Sequence, residues 1–141
     1  MLMPDVNVLV YAHREETQAH ARYAHWLVAL ATGSEPFALF EPVLHGFLRV
    51  VTNPRIFAPP STAKQAIEFL DALLSRPTCV LIRAGSGHWS IFRRLCEQQK
   101  LHGKLVAGAV HAALAIESGC EWVSADTDFA RFAPPLRWRH L

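Results

Sequence analysis

Three carboxylates stand where they could act together. Asp5 follows the apolar opening Met1–Pro4, Glu41 follows Phe37–Phe40, and Asp126 follows Glu121–Ala125, with Asp128 two residues on. Each of those apolar runs reads as a β-strand, so each acid sits at a strand's carboxyl end. In an open α/β sheet that is the edge where ligands bind. Clustered carboxylates repel and stay ionised together only beside a cation. An all-oxygen donor set suits a hard ion, Mg²⁺ or Mn²⁺, which keeps several of its waters. Such an ion activates water and stabilises charge on phosphate, so metal-dependent phosphodiester hydrolysis is the chemistry expected. Taken singly, the acids have a plainer role: Asp5, Asp126 and Asp128 can each cap a turn or helix, and Glu41 before Pro42 suits a helix N-terminus.

The elements that must position these acids follow from periodicity and punctuation. Val6–Ala12 and Ala19–Ala31 are apolar at helical spacing, the latter ending at Gly33-Ser34. A third helix begins at Pro42, where the missing N–H costs nothing, and stops at Asn53-Pro54. Pro59-Pro60-Ser61 delivers Ser61 as N-cap to a helix over residues 62–75, with Ala66, Ile67, Leu70, Leu73 and Leu74 inward. Thr78–Ile82 is a third strand, and Gly85 and Gly87 mark a turn. His88–Gln99 is a helix with Trp89, Phe92, Leu95 and Cys96 inward. Val106–Ser118 is an alanine-rich helix closed by Gly119. Leu136–His140 is a final edge strand. Short strands separated by helices predict an α/β fold, a central parallel sheet flanked by helices on both faces.

The bulk properties agree. A chain of 141 residues that is 51% hydrophobic and 18% charged is one domain's worth and buries a core without a disulfide or structural metal. Disorder and disulfide scaffolds are excluded. A net charge of +2 permits a nucleic-acid partner without arguing for one. Cys79, Cys96 and Cys120 form no ligand-spaced cluster and read as small buried hydrophobes. No secretory leader or membrane span is legible, so a reducing cytoplasm is the expected address.

Four blocks, in order along nearly the whole chain, carry a family likeness. They are Pro4-Asp5-Val6-Asn7-Val8-Leu9-Val10-Tyr11-Ala12, Phe47-Leu48-Arg49-Val50-Val51-Thr52-Asn53-Pro54-Arg55, Ala112-Ala113-Leu114-Ala115, and Val123-Ser124-Ala125-Asp126-Thr127-Asp128-Phe129-Ala130-Arg131-Phe132. Together they resemble PIN-domain ribonucleases, in particular the VapC-type toxins of toxin–antitoxin pairs. The resemblance implies a PIN fold over residues 1–141 and Mg²⁺- or Mn²⁺-dependent endoribonuclease activity on RNA. It also implies a cognate antitoxin and a homodimer. Asp5 matches the first metal-binding aspartate, Asn7 the residue that positions it, and Asp126 the late aspartate, with Asp128 its neighbour.

Two positions depart from the pattern. The family's helix glutamate falls in Val43-Leu44-His45-Gly46, so Glu41, about a turn early, is the only nearby acid. The aspartate expected before the alanine-rich helix is replaced in Leu105-Val106-Ala107-Gly108-Ala109 by Gly108. Its loss removes a charge and metal oxygens, and weak or absent activity is the expectation. His111, one turn on, is the nearest residue that could rebuild the site, although a packed histidine is the simpler reading. Arg49, Arg55, Lys104 and Arg131 are the candidate RNA contacts. A degenerate PIN fold that only sequesters antitoxin or RNA is the alternative; a phosphatase or receiver-like domain is a weaker one, with Lys104 its sole poor lysine.

Overall fold

The computed structural model describes residues 1–141. In chain order the elements are β1 (Leu2–Pro4), α1 (Val6–His13), α2 (His20–Thr32), β2 (Phe37–Phe40), α3 (Glu41–Val51), α4 (Ala63–Leu74), β3 (Cys79–Ile82), α5 (His88–Gln99), α6 (Lys104–Ser118), β4 (Glu121–Ser124), a 3-10 helix (Thr127–Phe132) and β5 (Arg137–His140). The strands form one five-stranded sheet, ordered β3-β2-β1-β4-β5, and every pairing is parallel. The expected α/β class and strand set are what the structure shows.

The strand order places the site. From β1 the chain steps through β2 to β3 in one direction, then returns past β1 to lay down β4 and β5 on its other side. Crossovers between parallel strands are right-handed, so reversing the direction moves the helices to the opposite face. Helices α1–α4 therefore cover one face, and α5 and α6 the other. The reversal falls between β1 and β4, and a crevice opens there beyond the strands' carboxyl ends.

Sequence periodicity explains the packing. Helix α1 buries Val8, Leu9, Val10 and Ala12, and β2 is buried at all four positions. Helix α6 presents Ala109, Ala112, Ala113 and Ala115, small side chains that let its backbone lie close to the sheet. Gly119 ends it in the left-handed conformation, φ 67°, which glycine adopts without penalty.

Several local expectations are corrected. The N-cap of α4 is Thr62, which closes a capping box with Gln65; Ser61 is buried, its hydroxyl 2.9 Å from both His13 Nε2 and Arg14 Nη1. Trp89 is 67% exposed and Ile67 46%, because α5 and α4 each present only a narrow stripe to the core. Cys79 and Cys96 are only partly buried; Cys120 is buried.

Gly46 matters to the site through close approach. A Cβ there would lie 2.8 Å from Val6 Cγ2, at the start of α1 beside Asp5. Val6 is β-branched and cannot swing clear cheaply. Gly46→Val should therefore destabilise the chain by about 1–3 kcal/mol, the usual cost of overpacking, measured by urea unfolding.

Candidate active site

Strand register brings the first acid to its partner. Pro4 pairs with Val123, so the next residues of the two strands, Asp5 and Ser124, become neighbours. The Asp5 N–H continues the ladder by donating to the Val123 carbonyl at 2.9 Å. Ser124 is fully buried and Asp5 only 5% exposed. The Ser124 hydroxyl donates to Asp5 Oδ2 at 2.6 Å and accepts from Asn7 Nδ2 at 3.1 Å and from the Asp126 N–H at 2.9 Å. That uses its one proton and both lone pairs. Asn7 Nδ2 also donates to Asp5 Oδ2 at 2.9 Å, and Asn7 Oδ1 accepts from the Ala125 N–H at 3.0 Å. The Val6 N–H caps Asp5 Oδ1 at 2.6 Å. Asp5 is thus both a helix cap and the centre of a polar knot. Asp126 Oδ1 accepts from the Asp128 N–H at 2.9 Å, capping the 3-10 helix.

A cavity of about 200 Å³ opens over this knot, lined by Asp5, Asp126, Asp128, His111, Arg49 and Lys104, among others. Gly108 also lines it. A Cβ at position 108 would meet only the ring edges of Phe132 and Phe129, at 3.8 and 3.9 Å, which is ordinary contact. The backbone therefore has room for the carboxylate that the family pattern leads one to expect there. As the side chains stand, no three acids, histidines or cysteines converge closely enough to enclose an ion. An ion that takes one or two carboxylates and keeps its waters fits this donor set. Asp5 and Asp126 are the pair that would hold it, with Asp128 at the rim.

Glu41 is not brought into this group. It pairs with Arg83, Nε to Oε1 at 2.9 Å, and does not line the cavity. Register again gives the reason: Phe40 pairs with Ile82, so Glu41 and Arg83 are the next residues of adjacent strands. Among the basic residues, Arg49 and Lys104 line the cavity, Arg131 leans towards Asp128 at 4.0 Å, and Arg55 lies outside it on the loop after α3. Ser124 and Arg83 were not singled out from the sequence. The alignment of strand ends was the signal that would have found them.

Burial sets the charge state of the crevice. It pushes the Asp5 carboxyl up from 3.8 to about 6, against the lowering effect of the Ser124 and Val6 hydrogen bonds; the Asp126 charge adds to the rise. Burial also pushes His111 down from 6.5 to about 4. Its Nδ1 lies 3.9 Å from Asp5 Oδ1. Between the two values both groups are neutral, and at neutral pH Asp5 is ionised while His111 stays neutral, so this is not an ion pair.

The two shifts oppose one another in folding. Raising the carboxyl's value means that stability falls as pH rises from 3.8 through about 6. Lowering the imidazole's value means that stability rises with pH from about 4 through 6.5. Each is worth about 3 kcal/mol at 1.36 kcal/mol per pH unit. In metal-free buffer the two should nearly cancel over that window. Asp5→Asn should leave a stability that climbs with pH, and His111→Gln one that declines, as followed by urea unfolding from pH 4 to 7.

Comparison with known proteins places this site in a family. The profile of the PIN domain matches residues 2–134. Ribonuclease VapC43 of Mycobacterium tuberculosis is 47% identical over 140 residues, spanning 99% of this chain and 95% of its own. Ribonuclease VapC31 of the same organism is 37% identical over 142 residues, 96% of this chain and all of its own (100%). The solved structure of VapBC2 from Rickettsia felis, bound to a DNA fragment from its promoter, superposes with a TM-score of 0.71 at 22% identity. It covers 99% of this chain and 97% of that one. The Mycobacterium tuberculosis toxin VapC20, described as cleaving the sarcin-ricin loop, superposes with a TM-score of 0.63 at 10% identity, 96% of each chain being covered. With its acids gathered at the β1/β4 crevice of a parallel five-stranded sheet, this chain belongs to the PIN-domain family, among the VapC-type ribonucleases.

Proposed function

We propose that this chain is the toxin of a toxin–antitoxin pair, built as one PIN domain for Mg²⁺- or Mn²⁺-dependent endoribonucleolytic cleavage of RNA and weakened or silenced by Gly108. The observation that carries this reading is the Asp5–Ser124–Asp126 knot, which holds two carboxylates at the sheet's switch point in a chain 47% identical to a VapC ribonuclease. When bound, the cation would neutralise charge on the phosphate and lower the pKa of an attacking water.

The chain's own side chains do the rest. Ser124 and Asn7 hold Asp5 Oδ2, so the carboxylate cannot rotate away from the crevice. Asp126 engages only Oδ1 internally, which leaves Oδ2 for an ion. Arg49 and Lys104, which line the cavity from chain segments far apart in sequence, supply positive charge for flanking phosphates. Glu41 would assist only by leaving Arg83. Exposed pairs of that kind contribute little to stability, so the release is cheap.

An antitoxin is the expected protein partner. The apolar groove where Leu27 and Val28 of α2 face Ala72 and Leu73 of α4 offers it a surface. The address is the cytoplasm, in keeping with three free cysteines. No helix is long and apolar enough to cross a membrane. Two copies should associate, and a monomer by light scattering at micromolar concentration would contradict the dimer.

Gly108 favours one second reading, a non-cleaving module that binds antitoxin or RNA. Cleavage of a mixed RNA pool, with and without Mn²⁺, separates the two. Gly108→Asp should cut, Asp5→Ala in that background should not, and the chain as it stands should cut at least 10-fold more slowly than Gly108→Asp, the scale of losses at metal-site residues, roughly 10–100-fold. Binding without cleavage by both the natural chain and Gly108→Asp would select the binding module.

A further inference from the structure

A second pocket adjoins the acid-lined crevice. It shares the walls Asp5 and Val6 with that cavity, encloses about 310 Å³, and is lined further by Asn7, Tyr11, Ile56 and Phe57, among others. That volume is at the low end for ligand pockets, about 300–1,000 Å³, and suits one flat ring system. Both aromatic rings in it are held from behind. Tyr11 meets Tyr23 edge-on with ring centroids 5.1 Å apart, and the Tyr23 hydroxyl donates to the Leu141 carbonyl at 2.8 Å. Arg14 lies over the Phe57 ring, 4.4 Å from its centroid, and itself donates to Ser61 Oγ and the Pro59 carbonyl. The turn that carries Ile56 and Phe57 is fixed too, because both N–H groups donate to the Asn53 carbonyl at 3.0 Å. The pocket is therefore preformed, yet Ile56 at its edge is 53% exposed.

One polar handle is left over. The Asn7 amide is spent on Asp5, Ser124 and Ala125, whereas Tyr11 makes its hydrogen bonds through its backbone carbonyl and none through its hydroxyl. Charge decides between RNA and a protein segment as the occupant. Arg49 in the adjoining cavity and Arg55 beside Ile56 pair with no acid of this chain, so both are free to neutralise phosphates. The apolar groove between α2 and α4 shares no wall residue with this pocket.

Resting on the nuclease reading above, we propose that this pocket receives one unpaired base of the RNA substrate, from a nucleotide next to the phosphate held at the crevice, stacked against Phe57 and Tyr11. Stacking on aromatic rings accepts any base, since every base has a π-face. The Tyr11 hydroxyl, which can donate or accept, is then the group that discriminates among base edges. A base inside a duplex is stacked and paired already, so the substrate class is single-stranded RNA, a loop or an end.

The test uses the full natural chain with Mn²⁺. It reads photocrosslinking to a thiouridine-substituted single-stranded RNA, mapped by mass spectrometry, and the affinities of short labelled homopolymers of A, C and U. Crosslinks should map to Tyr11, Ile56 or Phe57 and vanish when the RNA is annealed to its complement, a readout that needs no substitution. Phe57→Leu should bind all three homopolymers about 5-fold or more weakly, the lower end of what one lost base stack costs. Tyr11→Phe should keep the stacking but bring the three affinities together. Crosslinks confined to other residues, or affinities unchanged in both variants, would overturn the base pocket, leave it to a protein partner and leave the nuclease reading standing. No RNA bound by the natural chain or by Gly108→Asp would overturn both readings.

Discussion

A single hydroxyl holds the crevice together. Ser124 Oγ donates a hydrogen bond to Asp5 and accepts hydrogen bonds from Asn7 and from the Asp126 N–H, joining residues 119 positions apart in the chain. Because all three of its hydrogen-bonding capacities are used, it has one acceptable rotamer, and everything tied to it inherits that rigidity. Its position follows from the β1–β4 register, in which buried Met3 pairs with buried Trp122 and Pro4 with Val123. The chain of cause runs from apolar strands buried on both faces to register, then to the hydroxyl, and from there to two carboxylates held in place.

Much of this is legible in the sequence, for a reason particular to the fold. Asp5 and Asp126 can be placed because each closely follows an apolar strand, and the parallel sheet sends all strand ends to one edge. Ser124 is not legible in that way. A serine closing a strand looks like any small residue until the register is known. Glu41 shows the converse: it stands at the correct kind of position, yet its strand lies beside β3, and Arg83 claims it. Trp89 and Ser61 mark the limit of periodicity and capping rules. Apolar spacing gives a helix's phase but not how wide a stripe its neighbours cover, and two adjacent hydroxyls compete for one cap, settled here by Gln65 closing the box with Thr62.

Position 108 is one where a carboxylate can be present or absent without changing the fold. The alanines of α6 hold the helix against the sheet, and Gly108 contributes nothing to that contact, since a side chain there would only touch Phe129 and Phe132 at ordinary distance. Removing a carboxylate at such a place leaves the core unaltered. It also removes a repulsion that folding would otherwise have to overcome in a crevice where burial already resists ionising Asp5.

The strand order has a consequence for how the protein is made. β4 lies between β1 and β5, and it is the second-last strand to leave the ribosome. Until it docks beside β1, Asp5 has neither Ser124 nor Asp126 near it, and the nascent chain holds no assembled crevice. Because Asp5 and Asp126 lie 121 residues apart, the crevice assembles only once β4 has been made. By then helices α1 to α6 have all been synthesised.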